Sequence, residues 1–280
     1  MALIIGCYGT WLALIFMAPL ALNLVLLPFV IALQSSLQHE VLHGHPFTNQ
    51  RLNAALALPS LNIVIPYARF RDTHLAHHHD ARLTDPYDDP ESNYLDPDVW
   101  RRLPWILRAV LRANNTLVGR LVLGPFIGTI MFFRTELRSG TAKTGLQWCG
   151  HLCVVAGILS FVVVSPMPLW AYGISAYFGL SLLKLRTFLE HQAAERCTGR
   201  TAIVESAGLF GFLFLNNNLH VVHHKHPRVS WHQLPALYRA NRAGYLARNA
   251  GYFYPSYGAI LRKYAFRCKD PVAHPLWQKR

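Results

Sequence analysis

The sequence predicts an all-α membrane protein: four transmembrane helices in two hairpins, with a cytoplasmic helical cap that holds clustered histidines. Three observations predict it. Charged side chains are missing from two long stretches, none occurring before Glu40 and none between Lys143 and Lys184. The remaining charge is strongly basic, 27 Lys and Arg against 14 Asp and Glu for a net +13, and much of it follows those stretches. Most of the 15 histidines fall in tight groups at the borders of apolar segments.

A spanning helix needs roughly 20 predominantly apolar residues. The first charge-free stretch is long enough for two connected helices, Ala2–Met17 and Leu20–Leu37, with Pro19 and Asn23 near the turn. The second reads as Leu146–Val164 and Leu169–Leu183, divided by Ser165-Pro166-Met167-Pro168. A secretory signal fits the first stretch poorly, since no basic residues precede it and it exceeds the apolar length such signals use. Residues 51–68 are interrupted by Arg51, Asn53, Pro59 and Asn62 and predict a helix lying in the membrane interface. Residues 117–133, with Gly119, Arg120, Gly124, Pro125 and Gly128, predict a re-entrant or interfacial helix, because a fifth span would put the later clusters on the opposite side. The expected organisation is one membrane domain over 1–280, with 38–143 and 184–280 outside the spans.

Loops rich in Lys and Arg stay in the cytoplasm. Arg69, Arg71, Arg82, Arg101, Arg102, Arg108 and Arg112 lie between the hairpins, and Arg186, Arg196, Arg200, Lys225, Arg228, Arg239, Arg242 and Arg248 follow the second. Both hairpins therefore enter from the cytoplasm and return to it, which places every histidine cluster on that side. The basic residues form no stripe, so a bilayer is the expected partner and nucleic acid is not. The five cysteines have no paired metal spacing, and Cys149 and Cys153 fall one turn apart inside an apolar helix.

The clusters have ligand geometry. His39 and His43 are four residues apart, which puts both on one face if the second span continues as a helix. His74, His77 and His78 obey i, i+3, i+4 spacing and gather three imidazoles on one helical face. His220, His223 and His224 repeat that pattern, and His191 stands after the second hairpin as His39 stands after the first. His45, His79, His226 and His232 are weaker candidates, and the acidic, Pro-rich stretch Asp80–Pro90 reads as a loop. Imidazole is the commonest metal-ligating side chain and needs no proton removed when neutral. Nine candidates exceed the needs of one ion and suggest two metals.

Four chemistries compete for these residues. His39-Glu40-Val41-Leu42-His43 satisfies H-E-x-x-H, the zinc-protease pattern in which Glu40 is the general base, but one catalytic zinc takes three protein ligands and leaves the other clusters unexplained. Metal transport or storage, or haem binding, is the second; transport sites lie near the bilayer midplane, where only His151 is expected. Ordinary interfacial polarity suits the isolated His151, His232 and His274. The fourth is a dinuclear iron oxygenase acting on C–H bonds, for which imidazole-rich ligation of two irons is suitable.

The motifs resemble the integral-membrane fatty acid desaturase and hydroxylase superfamily, which also includes carotenoid ketolases. His39-x3-His43, His74-xx-His77-His78 and His220-xx-His223-His224 are similar to its three histidine boxes, and Phe188-Leu-Glu-His191 to the segment carrying an extra ligand after the fourth span. Asn216-Asn217 before the third box and Pro227…Trp231-His-Gln-Leu-Pro235…Tyr238-Arg239 after it resemble bacterial members, with likeness running from about residue 30 to 240. Glu40 departs from the Asp of many members. The resemblance implies two iron ions (Fe2+/Fe3+) held by the nine histidines His39, His43, His74, His77, His78, His191, His220, His223 and His224. Either Asn216 or Asn217 would reach a metal directly or through water. It also implies O2 as co-substrate, a lipid substrate, and electrons from a separate carrier such as ferredoxin or cytochrome b5. The expected reaction is desaturation of a lipid acyl chain, with hydroxylation or ketolation of a lipid or carotenoid as the alternative.

Overall fold

Apolar helices begin the chain: α1 (Ala2–Met17) and α2 (Leu20–Leu42) are separated only by Ala18 and Pro19, both in extended conformation. There follow α3 (Gln50–Ala57), α4 (Tyr67–His79), α5 (Pro97–Arg102), α6 (Trp105–Asn114), α7 (Leu117–Arg138), α8 (Ala142–Val164) and α9 (Leu169–Thr187). The C-terminal part has short elements: a 3-10 turn at Cys197–Arg200, β1 (Ile203–Val204), α10 (Leu209–Leu213), α11 (His220–Lys225), α12 (Leu234–Ala240), α13 (Arg242–Arg248), β2 (Phe253–Tyr254) and α14 (Tyr257–Tyr264). This computed structural model describes residues 1–79, 83–138 and 140–278; Arg82, the beginning of the acidic loop at Asp80, and the side chain of His79 lie outside the described part.

The contacts divide the chain into two units, 1–72 with 125–183 and 213–215, and 73–124 with 184–212 and 216–280. In the first unit an apolar core joins Trp11, Ile15, Leu27, Ile31, Ile158, Val162 and Tyr172. Polar groups inside these apolar helices are satisfied locally, as a low-dielectric setting demands. Gln34 donates from Nε2 to the Pro59 carbonyl at 2.7 Å, and Gln38 donates to the Ala57 carbonyl and Ser60 Oγ, each at 2.7 Å. The Tyr172 hydroxyl donates to the Leu61 carbonyl at 2.9 Å, and His151 pairs with the Ile63 carbonyl at 3.2 Å, the structural role expected of an isolated histidine. Arg69 grips Glu136 through two bonds of 2.7 and 2.9 Å, and Trp148 Nε1 donates to the same carboxylate at 2.9 Å.

One expectation changes here and another gains detail. The interfacial helix expected over 51–68 is helical in α3 and again from Tyr67, where α4 begins; residues 58–66 between them are irregular, and their Pro59, Leu61 and Ile63 carbonyls bond to Gln34, Tyr172 and His151. The segment expected to be re-entrant or interfacial at 117–133 is one continuous 22-residue helix through Pro125. By length and composition, α2, α7 and α8 are apolar enough to cross a membrane. The 16-residue α1 is shorter, and α9 mixes Ser, Tyr and Gly with Lys184 and Arg186.

In the second unit, β1 and β2 pair in parallel, Ile203 opposite Phe253 and Val204 opposite Tyr254. Their core of Ile203, Leu219, Val222, Leu234, Tyr238 and Tyr245 backs α11. The Val221 amide donates to the Ala202 carbonyl at 3.2 Å, and Asn218 Nδ2 donates to the Val204 carbonyl at 2.7 Å. A six-residue helix too short to stand alone is thus held by a sheet edge and a buried core.

Gly179 on α9 approaches α2 closely: a Cβ there would stand 2.7 Å from Ile31 Cγ2 and 3.2 Å from the Pro28 carbonyl oxygen. Gly173 on the same helix has nothing within 4 Å of its would-be Cβ. Overpacking costs about 1–3 kcal/mol, whereas glycine in a helix interior costs roughly 0.5–1 kcal/mol relative to alanine. Gly179→Ala should therefore lower the melting temperature of the protein in detergent, and Gly173→Ala should leave it unchanged or raise it.

Candidate metal centre

Helix α4 presents His74, His77 and His78, and α11 presents His220, His223 and His224, each triplet at one-turn spacing. His191 follows the end of α9 in an extended segment bridged to Thr201. His74, His77, His220 and His223 are buried. One ring nitrogen from each of His77, His191, His220 and His224 falls within a common 4.8 Å. The Nε2 atoms of His77 and His191 are 3.0 Å apart, those of His191 and His220 3.2 Å, and those of His220 and His224 3.1 Å.

A second convergence lies beside the first. His78 Nε2 is 3.0 Å from His74 Nε2 and 3.1 Å from His223 Nε2. The His78 and His224 rings stack with centroids 4.3 Å apart, so the two sets adjoin. Both triplets and His191 thus come together within the second unit. In the first unit, His39 and His43 share a face near the end of α2, with ring centroids 4.9 Å apart. His45 is 3.9 Å from Glu40, and His226 and His232 stand beside Tyr245 and Trp231.

The far side of the rings explains why Nε2 faces inward. His74 donates from Nδ1 to Glu91 Oε1 at 2.8 Å, His77 to Asp89 Oδ1 at 2.8 Å, and His220 to Asn217 Oδ1 at 3.0 Å. An ionised carboxylate or an amide oxygen only accepts, so Nδ1 carries a proton and, in the neutral ring, Nε2 keeps its lone pair. Such outer partners fix the tautomer and orientation of ligating imidazoles. Of the two candidate asparagines, Asn217 supports His220, whereas Asn216 donates from Nδ2 to the Trp231 carbonyl at 3.1 Å. Asp89 and Glu91 were not predicted as site residues: they fall at the end of, and just after, the acidic loop.

The electrostatics suit a cation. Burial drives His191 down to about 3, and burial with neighbouring histidines holds His220 and His224 well below the ordinary range, so these three are neutral at pH 7. For His77 burial acts downward too, but Glu91 and Asp89 outweigh it and raise the group to about 9. A protonated His77 can donate from Nε2 to the neutral His191 across their 3.0 Å contact. Two nitrogen ligands about 2.1 Å from one ion at right angles also stand about 3.0 Å apart. The donor set fits a transition metal that accepts imidazole, iron among them, with carboxylates as outer supports.

A model of the fatty acid desaturase family matches residues 11–256. The chain belongs to that family. A comparison with curated proteins returns no match. The match takes in all nine histidines assigned by the resemblance, and the chemistry of a desaturase accords with a histidine-rich centre able to hold two metal ions.

Removing an outer partner typically weakens metal binding about 10–100-fold. Glu91→Ala should do so in equilibrium metal titration, while Asp88→Ala, one residue before Asp89, should bind as the parent does. Because His77 must surrender its proton to a metal, affinity should rise from pH 7 and level off above about 9. Calorimetry in buffers of different ionisation enthalpy should detect that released proton.

Proposed function

We propose that the chain is a membrane-bound di-iron oxidoreductase that uses O2 and external electrons to desaturate a lipid acyl chain. The observation that carries this reading is the pair of adjoining imidazole sets in the second unit, His77/His191/His220/His224 and His74/His78/His223, in a member of the fatty acid desaturase family. His39 and His43, the family's first histidine box, are assigned to complete the ligands. In the proposed topology four helices form two hairpins, and the histidines face the cytoplasm.

Bound iron would supply the redox chemistry that couples O2 to an unreactive C–H bond. The residues of this chain do the rest. Asp89, Glu91 and Asn217 keep the Nε2 atoms of His77, His74 and His220 turned inward. Burial of His77, His220 and His223 keeps bulk water from the donor atoms, as a water-sensitive oxidation requires.

The electron count fixes the need for a partner. Reducing O2 to two water molecules takes four electrons and four protons. Forming a carbon–carbon double bond from two methylene groups yields two of each, so a donor must provide two electrons, with two protons from solvent. A separate carrier such as ferredoxin or cytochrome b5 is the proposed source. Insertion of oxygen by the same centre, giving a hydroxylated or ketolated lipid or carotenoid, is the alternative outcome.

Purified protein should contain two irons per chain, and lipids from cells that produce it should gain a double bond; a new hydroxyl or keto group would move the assignment to the alternative. His77→Ala and His223→Ala should abolish turnover while membrane insertion persists, and normal turnover with normal iron content in either would refute their roles. Glu40→Gln should retain measurable activity, whereas a zinc protease deprived of its general base would lose nearly all of it.

A further inference from the structure

Helix α6 faces the wrong way for a helix of a water-exposed cap. Trp105, Ile106, Ala109, Val110 and Ala113 recur at i, i+1, i+4, i+5 and i+8, one continuous stripe of a helix, and all are exposed, Trp105 to 71% and Ile106 to 56%. On the opposite side, Arg108 and Leu111 are half-buried and Asn114 is buried. Arg108, Leu111 and Asn114 therefore face the protein, and the apolar stripe faces away.

Two features identify what covers this stripe. Only Asn115 and Thr116 separate α6 from α7, a helix long and apolar enough to enter a bilayer, so the end of α6 cannot lie far from where α7 begins. The charge is also suitable: α5 and α6 carry Arg101, Arg102, Arg108 and Arg112 against Asp98, with which Arg101 pairs. Arg102 and Arg112 are exposed, and the Arg112 guanidinium lies 5.5 Å from the centre of the Trp100 ring. Apolar residues on one face with arginines beside them, and tryptophan at the edge, form the pattern of a helix lying in a membrane surface.

We propose that α6 is an interfacial anchor, its Trp105–Ala113 stripe seated in lipid and Arg102 and Arg112 in contact with anionic headgroups. It gives the unit that carries most of the candidate metal ligands a lipid contact of its own, and it does not depend on the reaction that the centre performs.

The test uses the full-length protein in nanodiscs of mixed phosphatidylcholine and phosphatidylglycerol, with brominated acyl chains on one lipid or the other. The fluorescence difference between parent and Trp105→Phe isolates Trp105. Seating predicts that brominated lipid quenches this signal and aqueous iodide does not. Anionic contact predicts stronger quenching by brominated phosphatidylglycerol than its share of the lipid would give, and an arginine near an anionic surface favours it about fivefold. Arg102→Gln/Arg112→Gln should erase that preference while quenching by total lipid and metal content persist. Quenching by iodide but not lipid would overturn the anchor. A signal shielded from both would also overturn it, by showing that protein covers α6. Equal quenching by both lipids would overturn the headgroup contact.

Discussion

The second unit is organised around a repulsion that must be neutralised. Imidazole Nε2 atoms crowd to within 3.0–3.2 Å of one another in a buried space. For His74, His77 and His220 one ring proton is committed to Nδ1 by Glu91, Asp89 and Asn217, so in the neutral ring the inward nitrogen carries the lone pair. Lone pairs at that distance require something positive between them, either a shared proton or a metal cation. The raised affinity of His77 for its proton and the lowered affinity of His191 are the metal-free answer to that demand.

The supports of the rings are themselves part of the fold. Asp89 accepts the Thr84 amide at 2.7 Å and the Glu91 amide at 2.9 Å while it holds His77, so one carboxylate shapes the loop and aims the imidazole. Glu190, adjacent to His191, sits 2.9 Å from the Arg186 guanidinium one turn earlier, and burial raises its carboxyl against the pull of that arginine. Negative charge is thus kept outside the imidazole layer, where it favours a cation within the layer without competing to bind it.

What could be read from the amino acids follows the range of the interactions. The triplets at 74/77/78 and 220/223/224 were legible because a helix converts spacing directly into a shared face. His191 was legible from its place after an apolar helix and from resemblance to a family. The roles of Asp89 and Glu91 were not, since they meet His77 and His74 only after an irregular loop turns back, and no periodicity encodes such a return. The pair Asn216-Asn217 was legible as a pair; which one supports a histidine depends on backbone direction at a residue with φ of 56°. Apolar length identified the beginning of α2 and the end of α8, but Pro125 and several glycines concealed the continuity of α7. The irregular path of 58–66 is tied to Gln34 and Gln38, which reach Pro59 and Ser60 from more than 20 residues away, a return that no local pattern encodes.

Ala202 has an influence out of proportion to its side chain. Its amide donates to the Glu190 carbonyl at 3.0 Å, and its carbonyl accepts from the Val221 amide at 3.2 Å, so one peptide segment joins the extended segment bearing His191 to the helix bearing His220 and His224. Regions linked by such backbone bonds open as cooperative groups and not one residue at a time. Three imidazoles from distant parts of the chain therefore belong to one mechanical body, and a fluctuation that withdraws one of them must either move the others or break the junction at Ala202.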